Sequence, residues 1–346
     1  MKKIIALALS GLLSLTLSPV NVHAENYSVD QNEVTEYTLE KGTYVITLKS
    51  DSAVSAALFT SESDAKEGKG NSVVTNSYLE VSSTETSKTK VLKITKNDDY
   101  YLSLNTKDDD VDVEANIDAV NEGGALKLKQ QMYGTSNGNN EDVSYYKLKL
   151  PNDGLVDLSF AGYYGGSSYI KVCNSKKKGL SGSWMYAPSN TKLLKSIGLK
   201  KGTYYIAVKS YEDVYSLQAS FTKLKKCGGS KKKKAMTLKK NQSIKSLAAQ
   251  GGSTSWFKYK NPKKQKLSIV VNGKTFKGGN NSGFTITCYA GKTKLGAQSF
   301  KSPYYETGSA YVITHSNRTG YANKGTYYFK ITSNKTASGY FTVAVK

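Results

Sequence analysis

Histidine is almost absent from this chain: of 346 residues only His23 and His315 carry an imidazole. A Ser-His-Asp or Cys-His nucleophilic site needs one. His23 falls in a segment expected to be removed, and His315 lies in Val312-Ile313-Thr314-His315-Ser316-Asn317, a stretch with no carboxylate to orient it. It reads as a surface or strand-end histidine. Paired carboxylates of glycosidase type would have to come from the first third of the chain or from a handful of acids in the middle, and none sits in an aromatic cleft pattern. The expectation is a protein that is not an enzyme. Arginine is scarcer still, with Arg318 alone among 49 basic residues. Three cysteines in a chain this long exclude a disulfide-dense scaffold. Cys173 and Cys288 occupy the same strand of successive repeats and read as small buried hydrophobes. Cys227, in Lys225-Lys226-Cys227-Gly228-Gly229, reads as a free, exposed thiol, with a Cys173–Cys227 bridge as the alternative. Helical periodicity is missing throughout, Met185 to Leu199 leaving room for one short turn.

Long apolar runs are also lacking, apart from Ile4 to Leu17. With Lys2 and Lys3 before it and Val22-His23-Ala24 after it, residues 1–24 read as a cleavable secretory signal peptide. The apolar run is short of the roughly 20 residues a membrane span needs. No cysteine follows that would carry a lipid. A secreted protein, extracellular or associated with the cell surface and without a transmembrane span, is expected.

What is present is a repeat of β-type segments at about 100 residues, longer than the roughly 20–50 of solenoids. Each unit opens with two alternating stretches around a polar turn. These are Glu36–Leu39 and Thr43–Leu48 around Glu40-Lys41-Gly42, Tyr145–Leu150 and Leu155–Phe160 around Pro151–Gly154, and Trp256–Tyr259 and Lys266–Val271 around Asn261–Gln265. The pattern predicts antiparallel hairpins. Each unit closes on Lys200-Lys201-Gly202-Thr203-Tyr204-Tyr205, on Asn323-Lys324-Gly325-Thr326-Tyr327-Tyr328, or on Lys96-Asn97-Asp98-Asp99-Tyr100-Tyr101. The glycine supplies φ > 0 at a tight corner and Asp stands in for it in the first unit. The paired tyrosines then alternate, one inward and one outward. Residues 125–128 and 235–238 open the second and third units alike. The fold class is all-β, three tandem β-sandwich (jelly-roll-like) modules after the signal peptide: module one, 25–122; module two, 123–222; a Lys-rich linker, 223–234; module three, 235–346.

These residues resemble the bacterial pre-peptidase C-terminal domain family, related to collagen-binding β-sandwiches. Tyr145 to Phe160, Leu199, Gly202 to Tyr205 and Tyr215-Ser216-Leu217 carry the likeness in module two. Phe257, Gly325 to Tyr328 and Tyr340 carry it in module three. Module one departs from it at Asp98-Asp99. The resemblance implies a β-sandwich of the kind appended to secreted hydrolases for targeting or solubility. The motif is structural and specifies no activity.

The formal charge of +22 is unevenly spread. Residues 25–122 carry 20 acids and 9 lysines, net −11; residues 123–222 are net +7; residues 223–346 hold 25 basic residues and one acid, Glu306. A solvated basic face would satisfy solubility with far less. Attraction to a polyanion is the sharper reading, and lysine favours diffuse, salt-sensitive attraction over bidentate recognition. The candidate residues are Lys231, Lys232, Lys233, Lys234, Lys239 and Lys240, with Lys263, Lys264 and Lys266 in the opening turn of module three. The first group could instead keep two modules apart by self-repulsion. The expected partners are an anionic polysaccharide, a teichoic-type polymer or a mucin. Export and the lack of arginine argue against base-specific nucleic-acid binding. No organic cofactor is expected. Calcium is the metal that Asp108, Asp110, Asp112 and Glu114 on one strand face would take, an acidic solvent face being the alternative. The functional expectation is a non-catalytic binding or adhesion protein. Its rival is an accessory or effector protein that grips a host or envelope protein through strand edges and tyrosines.

Overall fold

A computed structural model describes residues 26–29, 33–108, 111–135, 143–162, 168–180, 184–187, 192–210, 214–225, 227–273, 283–301, 309–312 and 321–346. The expected signal segment, His315, Arg318 and Glu306 lie outside them. The chain is an all-β protein of paired sheets with apolar residues between them. It divides into two compact units: the chain to Glu122 with Met132–Thr135, and Gly123–Gln131 with Ser136–Lys346. A short α-helix, Glu62–Glu67, escapes the sequence reading. Ser61 caps its start by accepting from the Asp64 N–H, and Gly68 ends it at φ 65°. The Ser-x-x-Asp spacing and the trailing glycine were its signal. In the stretch considered for one helical turn, Met185–Ala187 and Leu193–Leu199 are strands, and residues 188–191 lie outside the described residues.

One strand order recurs three times. In module one the opening strand Glu33–Leu39 pairs with the closing strand Asp98–Thr106, which pairs with Val54–Phe59 and then Leu79–Val81. In module two Ser144–Leu150 pairs with Gly202–Ser210, then Ser168–Cys173, then Met185–Ala187. In module three Ser253–Asn261 pairs with Gly325–Ser333, then Gly283–Ala290, then Thr293–Lys301. The second sheets are Ser87–Ile94, Gly42–Ser50 and Val111–Asn121; Leu193–Leu199, Gly154–Gly162 and Val214–Lys223; and Ile244–Ala248, Gly339–Val345, Ser268–Asn272 and Ser309–Val312.

The expected hairpins are therefore corrected. Glu33–Leu39 and Gly42–Ser50 belong to facing sheets, as do Ser144–Leu150 and Gly154–Gly162, and Ser253–Asn261 and Ser268–Asn272. Two alternating stretches around a polar corner look the same whether the second lies beside the first or across the core from it. Long-range pairing decides, and the opening strand is hydrogen-bonded by the distant closing strand.

The closing strand is fixed by its first tyrosine. The hydroxyls of Tyr100, Tyr204 and Tyr327 each donate to a carbonyl four residues back, that of Lys96, Lys200 and Asn323, at 3.0 Å. Tyr44 does the same to Glu40. This ties ring, turn and strand start together, a tyrosine-corner device. The second tyrosines, Tyr101, Tyr205 and Tyr328, then face outward, as the alternation requires. Gly202 and Gly325 do sit at positive φ, 156° and 153°. Asp98 does not, so no residue takes over the left-handed corner in module one.

The cores are conventional. Ile46, Leu48, Leu58 and Leu102 fill module one; Phe257, Phe329, Ile331 and Phe341 fill module three. In module two Tyr146 and Tyr215 are buried with their hydroxyls 2.8 Å apart, and Phe160 stacks on Tyr215. Modules two and three add a short parallel edge to the opening strand, with Leu126 and Leu238 donating to the carbonyls of Lys147 and Lys258. The equivalence thus runs Leu126 to Leu238, two residues out of step with the alignment of 125–128 and 235–238. Cys173 and Cys288 share a strand but stand one residue out of step. Cys288 lies opposite the core residue Phe329, and Cys173 opposite the outward Tyr205. All three thiols are free, and Cys227 is half-buried, a correction to its expected exposure.

Within the second unit the Lys-rich segment is no loose spacer. Gly229 exchanges both backbone hydrogen bonds with Trp256, and Gly228 donates to Ser246 Oγ. Modules two and three meet at Gly198, whose N–H donates to Ser338 Oγ at 2.9 Å and whose carbonyl accepts from Gln250 at 2.8 Å. A Cβ there would collide with the backbone of Ala248 and Gly339. Gly198→Val should cost about 1–3 kcal/mol through overpacking. Calorimetry of the full chain should show modules two and three melting in separate steps. An unchanged thermogram would mean this junction does not couple them.

Burial pushes the Cys288 thiol from its ordinary 9.0 up to about 12. The fold holds the neutral thiol, so its contribution is whole below about pH 9 and is lost as pH rises towards about 12, by up to about 1.4 kcal/mol per pH unit. Cys288→Val should flatten the loss of stability between about pH 9 and about pH 11 in urea melts. Parallel curves for the two proteins would contradict this.

A charge-pure sheet as the candidate binding surface

The segmental charge gradient resolves into something more local. In the sheet that holds the opening and closing strands, module one carries five acids, Glu33, Glu36, Glu80, Asp98 and Asp99, and no base. The equivalent strands of module two carry four lysines, Lys147, Lys149, Lys171 and Lys209, and no acid. Those of module three carry five, Lys258, Lys260, Lys294, Lys301 and Lys330, and no acid. The second sheet of module three has Lys245 as the charge on its described strands. The second sheet of module one mixes Lys49, Lys88, Lys90 and Lys93 with Asp112, Glu114 and Asp118.

Register explains how one position can be rewritten. The outward tyrosine of the closing strand lies directly opposite Glu36 in module one, Lys147 in module two and Lys258 in module three. Cross-strand neighbours stand about 4.5–5.5 Å apart, so this pair sets the local character of the face. Around Tyr101 the charges are Glu36, Asp99, Glu62 and Asp98; burial first, then these anions, hold its phenol above the ordinary range.

In module three the outer face is an aromatic–lysine lattice. One row runs Lys258, Tyr328, Tyr289, Lys294 across four strands, and the next runs Trp256, Lys330, Thr287. The Trp256 and Tyr289 rings are 5.5 Å apart. Lys232 reaches the lattice from a 3-10 turn, Lys232–Lys234, with Nζ 4.5 Å from the Tyr289 ring and 4.9 Å from the Tyr328 ring, and donates to Gly291 O at 2.7 Å. Elsewhere in module three Lys240, bridged to Val345 of the second sheet, donates to Gln265 Oε1 at 3.0 Å, and Lys264 and Lys266 stand 6.0 and 5.8 Å from the Tyr321 ring.

Of the residues expected from sequence, Lys232 thus joins the face, while Lys264 and Lys266 gather by Tyr321 and Lys240 by Gln265. Lys231, Lys233, Lys234, Lys239 and Lys263 are exposed nearby. The ion pairs among the described residues are Lys49–Glu114, Lys66–Glu62 and Lys88–Glu85, all in module one. Sequence reading missed Lys258, Lys294, Lys301, Lys330, Trp256, Tyr289 and Tyr328. Their period-two spacing opposite the buried Phe257, Tyr327 and Phe329 was the available signal.

Of the acidic residues expected to take calcium, Asp108, Asp112 and Glu114 are among the described residues. Glu114 turns both oxygens to Lys49 at 2.9 Å and accepts from Asn116, and the Lys49 ammonium holds its carboxyl below the usual range. Asp108 and Asp112 are exposed, and Asp110 lies outside the described residues. Among the described residues no three His, Cys, Asp or Glu side chains gather as ligands would, and no helix is long and apolar enough to cross a membrane.

No protein-family model matches the chain, and no curated protein matches it. Among solved structures it is similar to a tandem of two CBM22 domains from Paenibacillus barcinonensis Xyn10C, at 8% identity over 61% of this chain and 100% of that one, TM-score 0.20. It is also similar to a triple jelly-roll protein of an archaeal virus, at 10% identity over 93% and 88%, TM-score 0.18. A third is the M60 catalytic domain with two CBM51 domains from Clostridium perfringens ZmpB, at 9% identity over 92% of this chain and 34% of that one, TM-score 0.19. These are likenesses too loose to transfer a ligand or a reaction. The pre-peptidase resemblance rests on the opening stretches, the Gly-Thr-Tyr-Tyr strands and the final tyrosine strands of modules two and three.

Proposed function

We propose that this is an exported, non-catalytic binding protein that attaches through module three to anionic polymers of an envelope or host surface. One observation carries the reading. Five lysines of module three, Lys258, Lys260, Lys294, Lys301 and Lys330, stand in a single sheet with Trp256, Tyr289 and Tyr328, on strands that contain no carboxylate, and Lys232 reaches over its rings. A face of one sign concentrates the potential that draws a polyelectrolyte. Lysine stems cover the aromatic surface while their ammonium groups stay in water.

Lys258→Glu with Lys330→Glu writes the charge of module one into module three. Titration with a heparin-like or teichoic polymer at low salt should show affinity falling roughly tenfold or more, the gap closing as the screening length shortens to about 3 Å at 1 M salt. Lys245→Glu, on the opposite sheet, should stay within about twofold of the unaltered protein. Full affinity in the double variant, or an equal loss from Lys245→Glu, would refute the assignment of binding to this face.

A further inference from the structure

Module two carries a second face of the same design, and its details point to a ligand class. Tyr145 and Tyr205 meet edge to face, centroids 6.3 Å apart, beside Lys147. The Lys177 ammonium stands 4.5 Å from the Tyr145 ring and 5.6 Å from the Tyr205 ring. Next along the face, Lys171 lies 4.7 Å from the Trp184 ring.

Lys177 is held there at a cost. It occupies the left-handed region at φ 60°, where an unbranched lysine has no intrinsic reason to be. Asn174 fixes the turn, its side-chain oxygen accepting from the N–H groups of Lys176 and Lys178 and its carbonyl from Lys177. Glycine would suit the corner better. The strained residue is the one whose ammonium caps the ring pair, and it is exposed, with no hydrogen-bond acceptor for that ammonium among the described residues. Module three places Lys232 over the equivalent ring, Tyr328, but brings it from a different segment of chain. Two unrelated routes deliver a cation to the same ring position.

We infer that the Tyr145–Tyr205–Lys177 face of module two is a second binding site, for pyranose units bearing an anionic group. Flat ring edges and faces receive the apolar side of a sugar. A cation seated over them, with its N–H groups turned to solvent, pairs the sugar's carboxylate or sulfate at the same step. A polyphosphate chain offers the charge without a ring to stack.

The test uses the full chain carrying Lys258→Glu and Lys330→Glu, titrated calorimetrically with an oligogalacturonate and with inorganic polyphosphate. Adding Lys177→Gly should weaken the oligogalacturonate roughly tenfold, the loss expected of one charge-assisted contact, and polyphosphate by less than about threefold. Lys177→Arg should restore the sugar affinity, and the melting temperature of Lys177→Gly should not fall. Unchanged oligogalacturonate affinity in Lys177→Gly, or an equal loss for both probes, would overturn the site. So would a parent double variant that binds neither probe, which would leave module three as the sole surface. A parent that keeps full affinity, with the Lys177 effects intact, would instead overturn the module-three reading and leave this one standing.

Discussion

The outward face of each closing strand depends on one hydrogen bond at the strand's start. In each closing strand a buried or half-buried tyrosine donates its hydroxyl to the carbonyl four residues back. That bond sets where the strand begins and which way its first ring points. Because side chains alternate, the next tyrosine must point to solvent. Because the opening strand pairs with the closing strand in the same register in all three modules, one outward residue must lie opposite that second tyrosine. The core therefore decides the geometry of the surface pair while leaving its chemistry free. Glu36, Lys147 and Lys258 occupy that position in the three modules.

This freedom explains why the charge is so cleanly sorted. A net count by segment shows a gradient from acidic to basic. The structure shows one sheet per module whose described strands carry charge of a single sign, acidic in the first and basic in the other two. The second sheets carry few or mixed charges. Gly198 joins modules two and three, so the two basic sheets belong to one compact unit.

Much of the fold was legible because it is local. The Gly-Thr-Tyr-Tyr strands, the period-two runs and the near-absence of helical pattern all follow from the sequence within a few residues. What escaped was non-local. Alternating runs around Glu40-Lys41 and Pro151–Asp153 could not say whether the next strand lay alongside or across the core, and the chain crosses. Lys231 to Lys234, Lys239 and Lys240, and Lys263, Lys264 and Lys266 stood out because they cluster in sequence. Lys258, Lys294 and Lys330 did not, because only strand pairing makes them neighbours of Tyr289 and Tyr328. The left-handed Lys177 was invisible, since nothing in Asn174-Ser175-Lys176-Lys177-Lys178 says which lysine takes the strained corner.

The central claim is that one sheet face, rather than total charge, does the binding, and lysine footprinting tests it within a single molecule. The protein would be acetylated briefly with and without a bound anionic polymer, and each lysine's modification read by mass spectrometry. Protection should fall on Lys258, Lys294, Lys330 and Lys232 and spare Lys245 on the opposite sheet and Lys88, Lys90 and Lys93 in module one. Protection spread evenly over the lysines, or as strong at Lys245 as at Lys258, would contradict the account.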